Sequence, residues 1–371
     1  MRIAVVANSA WYLFNFRRRL MRALQDDGHE VVAISPADGY EARLRSEGVE
    51  WVGWALAPAG TDPWRELRSV AALRRALRRE RIGLAFTYTP KANIYTGLAA
   101  RTLALAHVPN VSGLGRAFID RGALTRLVVR LYRLAFGPAR VVVFQNDDDR
   151  AEFLAARLVE PGRTLRVPGS GVDLDRFAPA PLPPGTDPVF LFIGRVLSDK
   201  GVREFVDAAR RIRRRRPRAV FRILGSVGAD NPTAIPADEV RSWAGEGVVE
   251  LLGTTDDVRP AIAAAHAVVL PSYREGVPRV LLEAAAMARP CIATDVPGCR
   301  DAVVDASTGL LCAPRDAAAL ADAMQRFIDA GPASWVRWGE AGRAHVQSRF
   351  DERVVIETYR RIARELAGGD T

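Results

Sequence analysis

Short apolar runs alternate with longer amphipathic runs along the whole chain, and this alternation stops once and then starts again. Alternating strands and helices of this kind are typical of βα units that build parallel sheets. The interruption spans residues 178–188, where five prolines in eleven residues cannot continue a helix or a sheet. A chain of 371 residues is long enough for two domains. The sequence therefore predicts an α/β protein with two doubly wound parallel-sheet domains.

The predicted strands repeat on both sides of this interruption. In the first half they are Arg2–Ala7, Glu30–Ile34, Glu50–Trp54, Leu84–Thr87, Val108–Val111 and Arg140–Phe144. In the second half they are Val189–Ile193, Arg218–Leu224, Val248–Leu252, Ala267–Leu270, Pro290–Ala293 and Gly309–Cys312. We predict an N-terminal domain over residues 1–180 and a C-terminal domain over residues 181–350.

The chain carries 53 basic and 43 acidic residues, and its net charge of +10 limits the partners it can have. No nucleic-acid recognition motif accompanies the charge, so we expect no nucleic-acid partner. Cationic segments are attracted to anionic lipid over about 10 Å at ordinary salt, which favours an anionic membrane surface. No apolar run is long enough to span a bilayer, which favours binding at the surface.

The cysteines and the start of the chain indicate a compartment. Cys291, Cys299 and Cys312 lack metal-binding spacing, and an odd number of reduced thiols fits the cytosol. The chain begins directly with a predicted strand and shows no signal-peptide pattern. We therefore expect a cytoplasmic protein that is peripheral to the inner face of the plasma membrane.

Two loops in the second half carry the residues that most directly indicate chemistry. The strand Val189–Ile193 ends in a turn with two cations, Arg195 and Lys200. About eighty residues later another strand leads into a Gly/Pro loop with Glu275, followed by Glu283 in the next helix. Ligands of open α/β sheets bind at the carboxyl ends of the strands, where all four residues are predicted to lie. Cations can hold a diphosphate and carboxylates can accept hydrogen bonds from sugar hydroxyls, so the loops predict a nucleotide-sugar site.

Lysine is rare in this chain, which adds weight to one of these residues. Of the 53 basic residues only Lys91 and Lys200 are lysines. Where arginine has replaced lysine almost everywhere, a remaining lysine can mark a position that needs its compact, flexible ammonium. Lys200 lies in the cationic turn, which favours a functional role for it over chance survival.

These motifs together resemble the retaining GT-B glycosyltransferases of family 4. Glu275 and Glu283 match the E-x7-E motif of that family, and Arg195 with Lys200 match its diphosphate clamp. The segments Gly169–Phe177 and Ala293–Gly298 match further family motifs, so the resemblance covers essentially the whole chain. It implies two Rossmann-like domains that face each other across a cleft. It also implies that residues 351–371 form a helix crossing back to the N-terminal domain.

The resemblance assigns roles to the donor side. Arg195 and Lys200 would hold the diphosphate and neutralise it as the bond breaks, and Glu275 would bind the hydroxyls of the donor sugar. Glu283 would hold the ribose hydroxyls. The remaining donor-binding candidates are Gly194, Thr255 near the base, and the backbone N–H groups of Gly276 and Val277.

On the acceptor side the chain resembles bacterial enzymes that extend sugars on polyprenyl diphosphate. The matching segments are Asn15–Arg18, Tyr88–Tyr95 and Ser112–Phe118. They imply that Lys91 contacts a phosphate or the leaving group and that Asn93 binds a hydroxyl. The other acceptor-side candidates are Asn15, Ser112 and Gly113.

The chain departs from the family at two positions. Many members have a Gly pair after the first strand, where this chain has Asn8–Trp11, and many have His-Gly where this chain has Ser112–Gly113. None of the four histidines is an obvious catalytic base. Retention in this family requires no enzyme nucleophile, so stabilising the leaving diphosphate is the main task.

Two charged segments admit alternative interpretations. Arg126, Arg130 and Arg133 recur on one side of the predicted helix Leu124–Phe136, which can lie in a membrane interface or pack its apolar side into the core. Asp147–Asp149 opens a helix, where acidic residues favour the N-terminus, so we expect helix capping and no metal site.

We therefore predict transfer of a sugar, of the N-acetylhexosamine class, from a UDP-linked donor to a polyprenyl-diphosphate-linked saccharide. The UDP-sugar is a substrate, and we expect no cofactor and no metal. A nucleotide-sugar 2-epimerase of the same fold remains an alternative. A glycoside hydrolase that uses the two glutamates, or a basic nucleic-acid-binding protein, are alternatives of other classes.

Overall fold

The computed structural model describes residues 1–56, 62–113, 123–228 and 231–368, without the side chains of 123 and 124. The chain forms two compact units. The first contains Met1–Ser170 and Arg353–Thr371, and the second contains Gly171–Glu352. The fold class predicted from the sequence is confirmed, because each unit is built around a parallel sheet with helices between its strands.

The sheet of the first unit has seven strands in the order β3-β2-β1-β4-β5-β6-β7. Every pair of neighbouring strands in it is parallel. The order reverses between β1 and β4, which is the pattern of a doubly wound sheet. The strands are β1 (Arg2–Val6), β2 (Glu30–Ser35), β3 (Glu50–Gly53), β4 (Leu84–Thr87), β5 (Ala106–Val111), β6 (Val142–Phe144) and β7 (Thr164–Arg166).

The sheet of the second unit has six parallel strands in the order β10-β9-β8-β11-β12-β13. Its order reverses between β8 and β11, so the loops that follow these two strands lie side by side. The strands are β8 (Val189–Ile193), β9 (Val220–Leu224), β10 (Glu250–Leu251), β11 (Ala267–Leu270), β12 (Cys291–Thr294) and β13 (Gly309–Cys312).

Helices connect the strands in both units. In the first half of the chain they are α1 (Ala10–Asp26), α2 (Glu41–Ser46), α3 (Pro63–Arg79), α4 (Pro90–Ala100), α5 (Ala123–Phe136) and α6 (Asp147–Ala155). In the second half they are α7 (Val202–Arg213), α8 (Ala237–Gly245), α9 (Arg259–Ala263), α10 (Arg279–Ala286), α11 (Cys299–Ala302), α12 (Ala317–Arg349) and α13 (Glu352–Ala367). α12 is kinked at Gly331, just before Pro332.

The division between the units falls after Ser170, before the predicted boundary at residue 180. The reason is that the chain enters the second unit before the proline-rich segment starts. Val172 forms a bridge with Asp351, and the side chains of Val172, Leu174 and Phe177 are buried in the core of the second unit. The prolines therefore lie within the second unit.

α13 packs into the core of the first unit, although it is the last helix of the chain. Val355, Tyr359 and Ile362 are buried with residues of β1 and β4. The hydroxyl of Tyr359 accepts a hydrogen bond from Asn110 Nδ2 at 2.6 Å, and its ring packs edge-on against Phe86. The last helix thus belongs to the same hydrophobic core as the first strand of the chain.

α5 has two different sides. Tyr132, Ala135 and Phe136 are buried in the core of the first unit. The opposite side exposes Arg126, Arg130 and Arg133 together with Leu127 and Leu134, whose exposed fractions are 54% and 49%. Packing of one side into the core is therefore confirmed, and the opposite side, which is basic and partly apolar, is exposed. No helix in the described ranges is both long and apolar enough to cross a bilayer.

Asp147–Asp149 forms the first turn of α6, as the capping interpretation predicted. The cap itself is Asn146, whose Oδ1 accepts a hydrogen bond from the backbone N–H of Asp149 at 2.7 Å. Within the described part of the chain, no three His, Cys, Asp or Glu side chains form a group that could hold a metal ion.

Candidate active site

Two of the predicted site residues are in direct contact in the second unit. Lys200 lies at the end of the turn that follows β8, and Glu275 lies in the loop that follows β11. Because β8 and β11 are neighbours in the sheet, their following loops meet. Lys200 Nζ lies 2.5 Å from Glu275 Oε1, and the two side chains are 23% and 12% exposed. The structure therefore forms a cation–carboxylate pair at the point where the strand order reverses.

Glycine allows this close approach at two positions. Gly201 follows Lys200 with a φ of +71°, and a Cβ added there would lie 2.0 Å from the carbonyl oxygen of Pro271. Gly298 follows β12 with a φ of +79°, and a Cβ there would lie 1.9 Å from the carbonyl oxygen of Gly276. Neither position accepts a side chain, because both the backbone conformation and the space favour glycine. The loops after β8, β11 and β12 are therefore packed backbone to backbone.

Hydrogen bonds fix the same loops to one another. The N–H of Tyr273 donates to the carbonyl of Asp199 at 2.9 Å, and Thr294 Oγ1 donates to the carbonyl of Ser272 at 2.5 Å. The hydroxyl of Tyr273 donates to Glu204 at 2.6 Å. Burial, together with this hydrogen bond, raises the pKa of Tyr273 to about 12. These hydrogen bonds involve residues close in sequence to Lys200 and Glu275, and they therefore hold the two loops that carry the pair.

Arg195 is placed differently from Lys200. It follows Gly194 directly after β8, is exposed, and forms no side-chain hydrogen bond or ion pair with any residue in the described ranges. An arginine offers five N–H donors in a planar fork that matches phosphate oxygens. The structure therefore leaves this guanidinium accessible to an anion near the end of β8.

Glu283 is also paired, with a residue that the sequence analysis missed. Arg279 Nε lies 2.8 Å from Glu283 Oε1, and both side chains are 13% exposed. Burial raises the pKa of Glu283, and this effect is opposed by Arg279 and Arg176. The spacing of four residues on one helix was the available signal, since side chains at i and i+4 are neighbours.

The other predicted donor-side residues lie on nearby loops. Thr255 is exposed between β10 and α9, where its Oγ1 accepts the N–H of Asp257 at 3.1 Å. Gly276 and Val277 are buried in the loop just before α10. All three residues follow strands of the same parallel sheet, and the carboxyl ends of parallel strands share one edge.

On the acceptor side, the prediction for Asn93 is wrong in its placement. Its side chain is 2% exposed, so it does not face a ligand. Its Oδ1 accepts a hydrogen bond from the Thr87 hydroxyl at 2.6 Å, and its Nδ2 donates to the carbonyl of Asn110 at 2.8 Å. The amide therefore joins β4 and β5 inside the first unit, because α4 turns this residue towards the sheet.

Lys91 is not available as a lone cation. Its Nζ lies 2.7 Å from Glu66 Oε1 of α3, and the two side chains are 28% and 19% exposed. Glu66 also accepts a hydrogen bond from the hydroxyl of Tyr95. The prediction placed Lys91 against a phosphate, whereas the structure pairs it with a carboxylate of a neighbouring helix.

A ligand could reach the other three acceptor-side candidates only in part, because each of them is half-buried. They are Asn15, Ser112 and Gly113. Asn15 lies within α1 rather than at its start, is half-buried, and donates to the carbonyl of Trp11 at 2.9 Å. Ser112 follows β5, and its hydroxyl donates to the carbonyl of Tyr88 at 3.1 Å. The rest of the predicted segment, residues 114–118, lies outside the described residues.

Arg17, in the same predicted segment as Asn15, has an unexpected environment. It is 2% exposed, its guanidinium lies 3.9 Å from the centroid of the Tyr88 ring, and its Nη2 donates to the Tyr12 hydroxyl at 3.1 Å. No carboxylate of the described residues forms an ion pair with it. Aromatic faces can stabilise such a cation electrostatically. Nothing in the sequence pattern predicts that the side chain of Arg17 is buried.

The buried histidines do not supply a base. His107 and His266 are 0% and 2% exposed. Burial lowers the pKa of His107 to about 3 and also lowers that of His266. His107 Nε2 contacts the Thr87 hydroxyl at 3.0 Å, and His266 Nδ1 accepts the N–H of Val189 at 3.1 Å. His107 lies in β5 and His266 directly precedes β11, and both are buried and neutral.

Comparison with known proteins shows that the chain is similar to glycosyltransferases. The family described as Glycosyl transferases group 1 matches residues 187–330, and the Glycosyl transferase 4-like domain matches residues 15–170. In solved structures, a sucrose-phosphate synthase from Thermosynechococcus elongatus superposes with a TM-score of 0.81 at 21% identity, covering 100% of both chains. That likeness concerns the fold.

Three curated relatives cover most of the chain. An N,N'-diacetylbacillosaminyl-diphospho-undecaprenol alpha-1,3-N-acetylgalactosaminyltransferase of Campylobacter jejuni is 27% identical over 98% of both chains. A glycogen synthase of Mycobacterium tuberculosis is 30% identical over 91% of this chain and 86% of its own. A UDP-Gal:alpha-D-GlcNAc-diphosphoundecaprenol alpha-1,3-galactosyltransferase of Escherichia coli is 26% identical over 71% of both chains.

The packing at Gly298 generates a prediction. Gly298→Ala will destabilise the protein because its Cβ overlaps the carbonyl oxygen of Gly276 as well as adopting an unfavourable φ. Gly247→Ala is the matched control, since Gly247 has a φ of +70° with nothing within 4 Å of an added Cβ. Urea unfolding should show that Gly298→Ala costs about 1–3 kcal/mol more than the control. Equal losses in the two variants would show that the loops do not need this close contact.

Proposed function

Because the chain belongs to the glycosyl transferase group 1 family and is a glycosyltransferase, we propose that it moves a sugar from a UDP-linked donor to a polyprenyl-diphosphate-linked saccharide. The names of two relatives support the acceptor class, since both contain a sugar linked to undecaprenol through a diphosphate. The Escherichia coli relative is named for UDP-galactose, which supports uridine. The Campylobacter jejuni relative is named for N-acetylgalactosamine transfer, which supports an N-acetylhexosamine donor.

The contact between Lys200 and Glu275 carries the donor side of this proposal. It brings a cation and a carboxylate together at the sheet edge where ligands of doubly wound domains bind. The diphosphate would take the place of Glu275 as the partner of Lys200, with Arg195 as its second cation. Glu275 would then be free to accept hydrogen bonds from hydroxyls of the donor sugar. Glu283 would accept hydrogen bonds from the ribose.

In the proposed reaction, the bond between the anomeric carbon and the diphosphate oxygen breaks while the acceptor hydroxyl oxygen bonds to that carbon. The acceptor approaches from the face that the diphosphate leaves, so the configuration is retained. The departing diphosphate oxygen takes the proton of the acceptor hydroxyl. Arg195 and Lys200 stabilise the negative charge that develops, which requires no histidine base and no metal ion.

The acceptor would be bound by the first unit. Ser112, which follows β5, and Asn15 in α1 remain proposed contacts, together with Gly113. Lys91 can take part only if the acceptor shares it with Glu66, because the two are paired at 2.7 Å. Asn93 is not part of this proposal, since its amide is used inside the unit.

We further propose that the protein acts at the cytoplasmic membrane face through the exposed side of α5. That side combines Arg126, Arg130 and Arg133 with Leu127 and Leu134. Cations attract anionic headgroups, and leucine side chains can enter the boundary between headgroups and acyl chains. Such docking would bring the first unit to an acceptor that is anchored in the bilayer by its polyprenyl chain.

Other functions within and outside the fold are less well supported. A hydrolase needs one carboxylic acid that is protonated and one carboxylate beside the scissile bond. Here each of the two glutamates is in an ion pair, Glu275 with Lys200 and Glu283 with Arg279. A 2-epimerase would consume the donor with no acceptor, so omitting the acceptor from the assay distinguishes it.

The clamp is tested by sugar transfer. Lys200→Ala and Arg195→Ala should each lower transfer from UDP-sugar to a polyprenyl-diphosphate saccharide by about ten- to a hundredfold. Each removes a charged hydrogen bond of about 1.5–3 kcal/mol to the leaving group. The assay is run in excess chelator, because the proposal includes no metal. Arg211→Ala, which changes an exposed arginine of α7, is the control and should retain activity. Near-normal transfer by both clamp variants would refute the assignment.

Substitution of the two glutamates should have different effects on the affinity for UDP. Glu283→Gln should weaken UDP, since a neutral amide accepts hydrogen bonds from the ribose less well than a carboxylate. Glu275→Gln should bind UDP no more weakly than the native protein, because it removes a carboxylate that competes for Lys200, yet it should impair transfer. Calorimetric titration measures both affinities. An equal loss of UDP affinity in the two variants would show that their roles are misassigned.

Membrane docking is tested by charge removal from α5. Changing Arg126, Arg130 and Arg133 to Ser should weaken binding to anionic liposomes by about two powers of ten, since each contributes about 1 kcal/mol. Arg211, Arg214 and Arg215 are exposed on the other unit, and changing them to Ser removes the same charge as a control. Flotation with anionic and neutral lipid compares the variants. Identical loss from both triple variants would mean that net charge alone, and not α5, attracts the protein.

A further inference from the structure

Arg279 stands in an electrostatically unfavourable position for a helix. It is the first residue of α10, and the first turn of that helix contains no acidic residue. The N-terminus of a helix carries partial positive charge, so a cation there is disfavoured. The side chain is only 13% exposed, so Arg279 does not gain full hydration either. Something other than helix stability must account for an arginine at this site.

One contact of Arg279 is with Glu283. Arg279 Nε donates to Glu283 Oε1 at 2.8 Å, and no residue in the described ranges bonds to Oε2. A carboxylate has about four acceptor sites on its two oxygens. Arg279 therefore fixes one oxygen of the carboxylate and leaves the second for other donors.

The surroundings of Glu283 make its charge depend on this contact. Burial raises the pKa of Glu283, and the carboxylate of Asp257, from the loop before α9, raises it further. Two cations act in the opposite direction, Arg279 of its own helix and Arg176 from the segment before β8. The Asp257 carboxylate forms an ion pair with Arg259 at 2.7 Å, and this pair keeps the carboxylate ionised. Removing Arg279 would leave a buried carboxylate that faces one cation and one anion.

We propose that Arg279 is a positioning residue that keeps Glu283 ionised and orients its second oxygen towards neighbouring hydroxyls of the nucleotide ribose. The contact with the ribose rests on the function proposed above, whereas the ionisation of Glu283 does not. Arg279 acts through Glu283 and touches neither the diphosphate nor the transferred sugar in this proposal.

The first test measures donor affinity against pH. UDP-N-acetylglucosamine is the probe, titrated into native protein, Arg279→Leu, Arg279→Lys and Glu283→Gln from about pH 5 to about pH 8. Because protonated Glu283 is the weaker acceptor, affinity falls as pH falls through its pKa. In Arg279→Leu this loss of donor affinity should occur at a pH about one unit higher. Donor binding should therefore be about tenfold weaker than in native protein at the acidic end of the pH range. Arg279→Lys should restore most of the native profile, and Glu283→Gln should show a flat one.

The second test needs no donor. A carboxyl group whose pKa is raised by folding binds more protons in the native state, so it lowers stability as pH rises above its unfolded value. Arg279→Leu should therefore lose stability, relative to native protein, as the pH is raised from about 5 to about 7. Adding Glu283→Gln to Arg279→Leu should abolish that loss, because it removes the uncompensated buried charge.

The outcomes separate this inference from the proposed function. If Glu283→Gln rescues Arg279→Leu in the unfolding test but no variant changes donor affinity, Arg279 holds the charge of Glu283 and the ribose contact is wrong. If Glu283→Gln weakens the donor while Arg279→Leu keeps the native pH profile, the positioning role is refuted and the donor site stands. An unchanged pH dependence of unfolding in Arg279→Leu would likewise refute it.

Discussion

The ion pair between Lys200 and Glu275 depends on how closely three loops of the second sheet can approach one another. Gly201 and Gly298 bring the backbone after β8 and β12 against the loop after β11, at distances that exclude a Cβ. The hydrogen bonds of Tyr273 and Thr294 then fix the residues that precede Lys200 and Glu275. The two charged groups are far apart in the sequence and reach a 2.5 Å contact because the parallel sheet places their strands side by side. The donor site proposed here is a consequence of this packing.

Both lysines of this arginine-rich chain are used in the same way. Lys91 contacts Glu66 in the first unit, and Lys200 contacts Glu275 in the second, each with a carboxylate from another part of its unit. A lysine ammonium is compact and on a flexible stem, whereas a guanidinium is a wide planar fork. A short contact between partly buried groups suits the ammonium. Scarcity of lysine in the sequence thus indicated special positions, although only Lys200 lies at the proposed site.

The sequence predicted those parts of the molecule that depend on local pattern. Alternating apolar runs identified the doubly wound domains, and motifs at strand ends identified the loops of Lys200 and Glu275. β7 was missed because its three residues, Thr164–Arg166, include only one apolar side chain. The boundary after Ser170 was missed because the prolines mark a turn of the chain and not the point at which the chain enters the core of the second unit. Contacts between elements were the least predictable. Nothing local shows that Glu66 would meet Lys91, or that α4 would turn Asn93 inward, since both depend on how helices pack.

The central claim is that a UDP-sugar binds to the loops after β8 and β11. Amide hydrogen exchange with and without UDP-N-acetylglucosamine tests it most directly, because bound loops open less often and exchange more slowly. The account predicts that protection on donor binding includes residues 194–201 and 272–283 of the second unit. Unchanged exchange in both of these segments, with protection elsewhere in the chain, would contradict it.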